Sequence, residues 1–286
     1  MEKNNNLINF IDGYSIEVTP RALSKIDNLA EVLPKGTRVY IAHIEGTSID
    51  EMVKTARKIH DAGFKSMPHF PARLIKNKSV LEEWVTRYQN EANVDEALLI
   101  AGGSSKPKGD FDSSIQLIET GVFDANCYKR LHVAGHPEGN KDIDTGGLNL
   151  NVNKALSWKN EFAKRTDAQM ALTTQFCFES SVVVDWVNEI KVRGIDIPVH
   201  IGIAGPAKLQ TLIKYAIECG VGASMKVLQK RAKDITKLLL PYEPIQILEE
   251  LSEIKSNDSN FNIEQVHFFP LGGVKRVTDW TKKVSE

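Results

Sequence analysis

Short apolar runs rich in β-branched residues alternate with amphipathic segments along the chain. Most of the runs are almost continuously hydrophobic, which is typical of strands that are covered on both faces of a parallel sheet. Their alternation with helical segments indicates a series of βα units. The runs lie at Tyr14–Pro20, Thr37–His43, Lys65–Phe70, Glu96–Gly103, Arg130–His136, Ala171–Phe176, Pro198–Gly205 and Gln265–Leu271.

The segments between the runs carry helix-boundary signals. Residues 48–62 follow a possible cap, place Met52, Ala56 and Ile59 on one face and end at Gly63. Two further helices are predicted in the same way, at Ser180–Arg193 before Gly194 and at Ala207–Cys219 between Pro206 and Gly220.

Strands and helices in this order predict a single-domain (β/α)8 TIM barrel. Such barrels commonly fill about 250 residues, so the length of the chain is compatible with one. An open doubly wound sheet is the alternative, and the absence of G-x-G-x-x-G after the first strand counts against its dinucleotide-binding form. The predicted domain covers residues 1–286. Pro241 and Pro244 interrupt a long connection, so we expect an extra helical segment around 224–258.

Composition and charge narrow the function classes. The 36 basic and 37 acidic residues give a formal net charge of -1, which argues against nucleic acid or an anionic membrane as a partner. Cys127, Cys177 and Cys219 form no C-x-x-C pair, so a zinc ribbon or a disulfide scaffold is not expected. The polar N-terminus and the lack of a bilayer-length apolar stretch favour a cytoplasmic protein. A homo-oligomer is compatible with these features.

Glu17 is an acidic residue inside an apolar strand, between Ile16 and Val18. Burial without a partner would cost several kcal/mol. Burial also raises a carboxyl pKa, and a raised pKa suits a general acid near neutral pH. The alternative is a structural ion pair with an arginine or lysine.

Six of the seven histidines fall in strands or at strand ends. We expect His69 and His136, which lie near the carboxyl ends of strands, to be functional, because a barrel builds its active site there. His43 fits either a functional or a structural role. The others, His132, His200 and His267, lie in strand middles and are expected to be core histidines bonded to backbone carbonyls.

A glycine-rich segment follows the fourth strand, from Gly102-Gly103 to Gly109, and includes Lys106 and Lys108. Its backbone N–H groups and lysines could hold a phosphate, although a plain flexible loop is an equal alternative. Gly272-Gly273 after the eighth strand has the same two interpretations.

Five segments occur in an order that resembles the methylenetetrahydrofolate reductase family. The likeness runs from about residue 16 to 206 and returns near Phe268–Phe269. Its most specific parts are the G-[YH]-P-E-G and T-Q-F-x-F-[DE] patterns. The segments are Ile16-Glu17-Val18-Thr19-Pro20, Pro68-His69-Phe70, Leu99-Ile100-Ala101-Gly102-Gly103, Gly135-His136-Pro137-Glu138-Gly139 and Thr174-Gln175-Phe176-Cys177-Phe178-Glu179.

The resemblance implies a flavin-bearing barrel that passes hydride from NADH or NADPH to 5,10-methylenetetrahydrofolate and needs no metal. Glu17 matches the acid that opens the five-membered ring of the folate. Gln175 matches the glutamine that contacts the pterin, and Phe176 and Glu179 belong to the same substrate segment. The positions matching the FAD site are His69, Gly102, Gly103, His136, Glu138, Lys159 and Lys164.

The chain departs from the family pattern at the flavin. Members of the family usually have Arg-Gly-Asp where this chain has Ala101-Gly102-Gly103, so the aspartate that lies beside the flavin in the family is missing. The folate end of the site is therefore better supported than the FAD end. The alternatives are a flavin-independent folate-binding barrel in one-carbon transfer, a transferase or lyase with Glu17 as base, and a hydrolase whose histidines hold a metal.

Overall fold

The computed structural model describes residues 4–220 and 240–286, together with residues 225, 227–229 and 232. Strands and helices alternate through the described residues, as the apolar runs predict. The strands are β1 (Ser15–Val18), β2 (Arg38–Ile41), β3 (Lys65–Pro71), β4 (Glu96–Ile100), β5 (Arg130–Gly135), β6 (Gln169–Cys177), β7 (Val199–Ala204) and β8 (Ile263–Phe269).

The helices lie between these strands and at both ends of the described chain. They are α1 (Asn5–Ile11), α2 (Pro20–Leu23), α3 (Leu29–Val32), α4 (Ile49–Asp61), α5 (Lys78–Ala92), α6 (Ser114–Glu119), α7 (Val122–Ala125), α8 (Leu150–Ala163), α9 (Ser180–Val192), α10 (Leu209–Glu218), α11 (Ile245–Asn257) and α12 (Val274–Ser285), with a short 3-10 turn at Ala72–Leu74.

The strands hydrogen-bond in chain order into a closed barrel, β1 to β8. The parallel pairing includes Tyr40 with Met67 and His267 with Ser15. The predicted (β/α)8 barrel is confirmed, and each predicted strand is present within a few residues of its expected ends. The fourth strand ends at Ile100 rather than Gly103, because Gly102 has a φ of 97° and leaves the extended conformation.

Helix α4 shows how local sequence sets a boundary. The hydroxyl of Ser48 accepts from the N–H of Glu51, and the Glu51 carboxylate accepts from the N–H of Ser48, which together form a capping box. Met52, Ala56 and Ile59 are fully buried, as their spacing predicts. The predicted helices at Ser180–Arg193 and Ala207–Cys219 are also present, as α9 and α10.

The chain divides into two compact units. One unit comprises Glu17–Ala134 and Trp158–Leu172, and the other holds the remaining described residues. The prediction of one domain over residues 1–286 stays a prediction. The later part of the expected extra segment is helix α11, whereas most of residues 221–239 lie outside the described residues.

Each unit has its own aromatic packing. In the first unit Phe70 packs against Tyr88 and Phe123, with ring centroids 5.3 and 5.2 Å apart. In the second unit Phe176 meets Phe269 edge to face at 5.4 Å. Burial of each such ring contributes about 1.5–3 kcal/mol to stability and helps to hold β3 and β6, which carry Phe70 and Phe176, in place.

No helix among the described residues has the length and apolar character required to cross a membrane.

Candidate active site

Glu17 and His69 form the central contact of the candidate site. The Glu17 Oε2 atom lies 3.3 Å from the Nε2 atom of His69. The His69 side chain is 9% exposed and that of Glu17 is 20% exposed. The separation is within ion-pair distance, but Nε2 does not meet hydrogen-bond geometry. Glu17 is therefore partly open to a ligand, and one of its neighbours is an imidazole.

Tyr40 lies next to this pair and was not identified from the sequence. Its ring stands edge-on to the ring of His69, with centroids 6.4 Å apart. Its hydroxyl lies 2.5 Å from Nδ1 of His132, and both residues are fully buried. The signal available in the sequence is a tyrosine in a strand middle, because a buried hydroxyl requires a hydrogen-bond partner.

His43 has a structural environment. It stacks on Trp84 with ring centroids 4.9 Å apart, and its Nε2 donates to the carbonyl of Thr47 at 3.0 Å. Burial lowers the pKa of His43, and the nearby His69 lowers it further, against the opposing effect of the hydrogen bond to Thr47. The structural interpretation therefore accounts for this histidine.

The glycine-rich segment after β4 is held by side chains from the preceding loops. The buried guanidinium of Arg73 donates to the Asp112 carboxylate at 2.7 Å and to the Ser104 carbonyl at 2.9 Å. Glu45 contacts the Ser104 hydroxyl at 2.9 Å and the Lys108 ammonium at 2.6 Å. Lys108, one of the two lysines expected to face a phosphate, is thus engaged with a carboxylate of the chain.

Two of the loop glycines have steric reasons to be glycine. A Cβ on Gly102 would lie 2.9 Å from the Cβ of Pro71, and one on Gly109 would lie 1.9 Å from the carbonyl oxygen of Lys76. Gly103 has open space around it. Close backbone packing therefore explains Gly102 and Gly109 without a ligand.

Gly272 has a similar explanation. A Cβ at this position would lie 2.2 Å from the carbonyl oxygen of Pro206. Gly273 caps α12 with a φ of 105°. The pair fits a tight strand-to-helix connection, which needs no bound phosphate.

His136 and Glu138 lie in the loop that follows β5, and both are partly buried. The N–H of Gly139 donates to the His136 carbonyl at 3.1 Å, which closes a turn. Glu138 is close enough to Cys177 to act on it electrostatically, and burial together with this charge raises the pKa of the Cys177 thiol. The loop after β5 thus reaches the end of β6.

Residues 174–179, the segment expected to bind substrate, include both exposed and buried side chains. Gln175 and Glu179 are exposed, whereas Phe176 is 1% exposed and packs against Phe178 and Phe269. Strand alternation explains the contrast, because neighbouring residues point to opposite faces. In this arrangement Gln175 can reach a ligand, while the ring of Phe176 contributes packing.

The two lysines assigned to the flavin lie in different environments. Lys159 is 5% exposed, and its ammonium donates to the carbonyl of Ala134 at 2.9 Å. Burial lowers the pKa of Lys159 to about 8. Lys164 is on the surface and pairs with Glu161 at 2.7 Å.

Three of the side chains expected around a flavin are engaged with the protein itself. His69 faces Glu17, Lys159 holds a backbone carbonyl, and Lys164 pairs on the surface with Glu161. No acidic residue stands at Ala101-Gly102-Gly103, where the family has its aspartate. As they stand, these residues do not fit FAD.

Three histidines are core residues, as predicted from their strand-middle positions. They are at most 1% exposed, and their partners include side chains: Tyr40 for His132, Glu264 for His200 and Ser15 for His267. Within the described residues no three His, Cys, Asp or Glu side chains gather in a group that could hold a metal ion.

No protein-family model matches the chain. Its fold is similar to that of a solved structure from Clostridium thermocellum, an uncharacterized protein that binds two copies of 5-methyl-5,6,7,8-tetrahydrofolic acid. The TM-score is 0.56, the sequence identity is 11%, and the match covers 98% of this chain and 98% of that chain. At this identity the likeness shows the fold alone.

Proposed function

We propose that this protein binds a reduced folate and interconverts 5,10-methylenetetrahydrofolate and 5-methyltetrahydrofolate by hydride transfer. The observation that carries the proposal is the partly exposed carboxylate of Glu17, near the carboxyl end of β1 and 3.3 Å from His69. Catalytic groups of (β/α)8 barrels come from the carboxyl ends of the strands. An acid at this place suits a substrate whose ring must be protonated before it opens.

Two further observations support a folate as the ligand. The fold resembles, over nearly its whole length, that of a protein that binds 5-methyltetrahydrofolic acid. The sequence resembles methylenetetrahydrofolate reductases at the segments that contain Glu17 and Gln175. Exposed Gln175 has an amide that can both donate to and accept from the edge of a pterin.

The proposed chemistry assigns one role to each residue. Glu17 gives a proton to the amine nitrogen of the folate's five-membered ring, and the C–N bond breaks with its electron pair moving to that nitrogen. The remaining iminium carbon accepts hydride from NADH or NADPH and becomes the methyl group. The family resemblance assigns Gln175 to the pterin, and no step is assigned to FAD.

The second candidate is a folate-binding barrel that carries or transfers a one-carbon unit without redox chemistry. The favouring observation is the poor fit of the residues expected around FAD, because the resemblance implies that the family's hydride transfer depends on a flavin. Both candidates require folate binding, and only the first requires Glu17 to act as an acid toward a hydride acceptor.

Purified full-length protein tests the proposal. We expect 5-methyltetrahydrofolate binding by calorimetry and folate-dependent oxidation of NADH or NADPH. Glu17→Gln should lower turnover at least 100-fold, about 2.7 kcal/mol, while folate affinity stays within threefold. The matched control is Glu45→Gln, which removes an exposed carboxylate that pairs with Lys108.

Each outcome decides between the candidates. Folate binding without hydride transfer would support the carrier, and absence of folate binding would overturn both. A visible spectrum of the same sample shows whether a flavin accompanies the protein, because FAD is a coloured cofactor.

A further inference from the structure

The side chain of His69 faces the interior of the barrel. Its chain neighbour Phe70 packs on the other side of the strand, against Tyr88 of α5 and Phe123 of α7. Adjacent residues of a strand point to opposite faces of the sheet, so His69 points away from these helices. Leu98, the partner of His69 on β4, lies on the same inward face.

The inward faces of β4 and β5 open toward the carboxyl ends of the strands. Leu98 and His132, which are paired with each other, are both buried. Two residues further along their strands, Ile100 and Ala134 are partly exposed. His69, paired with Leu98 on the other side, lies beside this opening near the end of β3.

The opening has an apolar side and a polar side. Leu98 and Ile100 belong to one apolar cluster. Glu17 and His69 supply polar groups, with Oε2 of Glu17 lying 3.3 Å from Nε2 of His69. All four residues belong to the same compact unit of the chain. Such a surface fits an aromatic amine, whose ring packs on the apolar side while its nitrogen meets the polar groups.

The Nε2 atom of His69 is buried and has no hydrogen bond within the described residues. The side chain is only 9% exposed, and the approach to Glu17 lacks hydrogen-bond geometry. Buried polar atoms are hydrogen-bonded in nearly all native structures, and an unpaired one costs about 1–3 kcal/mol. A ligand that forms a hydrogen bond with Nε2 would remove this cost, so the atom indicates a binding site.

We infer that Nε2 of His69 accepts a hydrogen bond from the substrate nitrogen that Glu17 protonates. The inference rests on the proposed function for its substrate. In 5,10-methylenetetrahydrofolate the arylamine nitrogen carries no hydrogen, because it is bonded to the methylene bridge. Once the five-membered ring opens, the same nitrogen has an N–H group. His69 is thus a catalytic residue that favours the ring-opened form.

One ligand atom can reach both side chains. A nitrogen placed about 2.8 Å from Oε2 of Glu17 and about 3.0 Å from Nε2 of His69 forms a triangle with their 3.3 Å separation. The proton donor and the hydrogen-bond acceptor therefore converge on the same point of the opening.

The atoms and electrons of the step balance. Glu17 gives its proton to the arylamine nitrogen, and the bond from this nitrogen to the methylene carbon breaks with its electron pair staying on nitrogen. The new N–H group donates to Nε2 of His69, which accepts when the imidazole is neutral with its proton on Nδ1. No proton passes to His69. Hydride from NADH or NADPH reduces the iminium carbon, and the carboxylate of Glu17 regains a proton from solvent.

A comparison of two ligands tests the hydrogen bond without turnover. The probes are 5-methyltetrahydrofolate, which has an N–H group at the arylamine nitrogen, and its analogue methylated on that nitrogen, which has none. With the full-length protein we expect calorimetry to give at least tenfold tighter binding of the N–H compound, about 1.4 kcal/mol. In His69→Leu this preference should fall at least fivefold. The extra methyl group is present with both proteins, so the change in the ratio isolates the hydrogen bond.

Two further variants make the comparison specific. His69→Gln restores an acceptor in its amide oxygen, so its preference for the N–H compound should exceed that of His69→Leu. His60→Leu is the control, because His60 is an exposed histidine of α4 and its loss should leave the wild-type ratio unchanged. A fall of the same size in His60→Leu would overturn the inference.

NMR of the wild type gives a second measurement that does not depend on a variant folding. With nitrogen-labelled imidazoles, the Nε2 resonance of His69 should differ between the protein saturated with the N–H compound and the protein saturated with the methylated one. Identical resonances in the two complexes would overturn the inference.

Hydride transfer provides a kinetic readout. We expect His69→Leu to lower kcat about tenfold with KM within twofold, because the hydrogen bond forms only after the ring opens. An unchanged kcat would count against the inference.

The binding data separate failure of the inference from failure of the proposed function. If the protein binds neither compound, the proposed function is overturned and the inference falls with it. If it binds both and His69→Leu leaves their ratio unchanged, the proposed function stands and the inference alone is overturned.

Discussion

The backbone N–H of Asp110 donates to the carbonyl oxygen of Lys76 at 2.9 Å, which joins the loop after β4 to the segment after β3. Next to it, the N–H of Lys108 donates to the carbonyl of Arg73 at 2.8 Å. Gly109 lies between these two bonds, where there is no space for a side chain. The glycine-rich loop is thus held in place by backbone hydrogen bonds and close packing.

This packing predicts that two glycine substitutions in the loop will change the stability of the protein by very different amounts. Gly109→Ala places a Cβ 1.9 Å from the Lys76 carbonyl oxygen, so the two backbone bonds must shift. We expect a loss of about 2–3 kcal/mol in the free energy of unfolding, measured by urea denaturation. Gly103→Ala, in open space in the same loop, should stay within about 0.5 kcal/mol. Equal stabilities would show that the loop is not packed as described.

Arg73 is the side chain that holds this loop. Arg73→Met removes donors to the Asp112 carboxylate and to the Ser104 carbonyl from a buried position. We expect a cost of about 2–4 kcal/mol and faster proteolysis in the loop. Arg57→Met is the control, since Arg57 forms an exposed pair with Asp61 and should cost less than about 1 kcal/mol. Indistinguishable unfolding curves for the two variants would contradict this role.

Gln175 and its neighbour Phe176 should separate binding from stability. Gln175→Ala, at an exposed position, is expected to leave the unfolding transition unchanged and to weaken folate binding about tenfold, as measured by calorimetry. Phe176→Ala removes a ring with 1% exposure and should cost about 3–5 kcal/mol. Unchanged affinity in Gln175→Ala would remove the pterin-binding role from this residue.

The contrast between these neighbours shows what the sequence could and could not predict. The barrel is predictable because most of its strands are largely apolar runs covered on both faces. A motif such as T-Q-F-C-F-E does not by itself tell which of two adjacent residues faces a ligand, because that depends on the side of the strand. The motif therefore predicts a substrate role for both Gln175 and Phe176, and the structure buries only Phe176.

The contact between Glu17 and His69 could not be predicted from the sequence. Both residues were candidates from their places near strand ends, but the contact joins strands that are not neighbours in the sheet. Such a contact depends on the stagger of the barrel and on side-chain rotamers, which hydrophobic periodicity does not encode. For the same reason Tyr40 was not recognised, although a polar residue in a strand middle was a usable signal.

Lys159 should give the protein a distinctive pH dependence. Its folded-state pKa of about 8 lies below its usual 10.5, so between these values the unfolded chain binds the additional proton. The free energy of unfolding contributed by this group therefore rises with pH across that window, by up to about 3 kcal/mol, and is constant below it.

Thiols and tyrosines titrate in the same range, so the measurement is the difference in the free energy of unfolding between wild type and Lys159→Met, determined by urea denaturation at pH 7.5, 9 and 10. We expect that difference to grow in favour of the wild type as the pH rises, whereas Lys154→Met, which removes an exposed lysine from the same helix, should give a difference independent of pH. A flat difference for Lys159→Met would mean that its ammonium is solvated, and that the hydrogen bond to Ala134 does not hold the side chain in the interior.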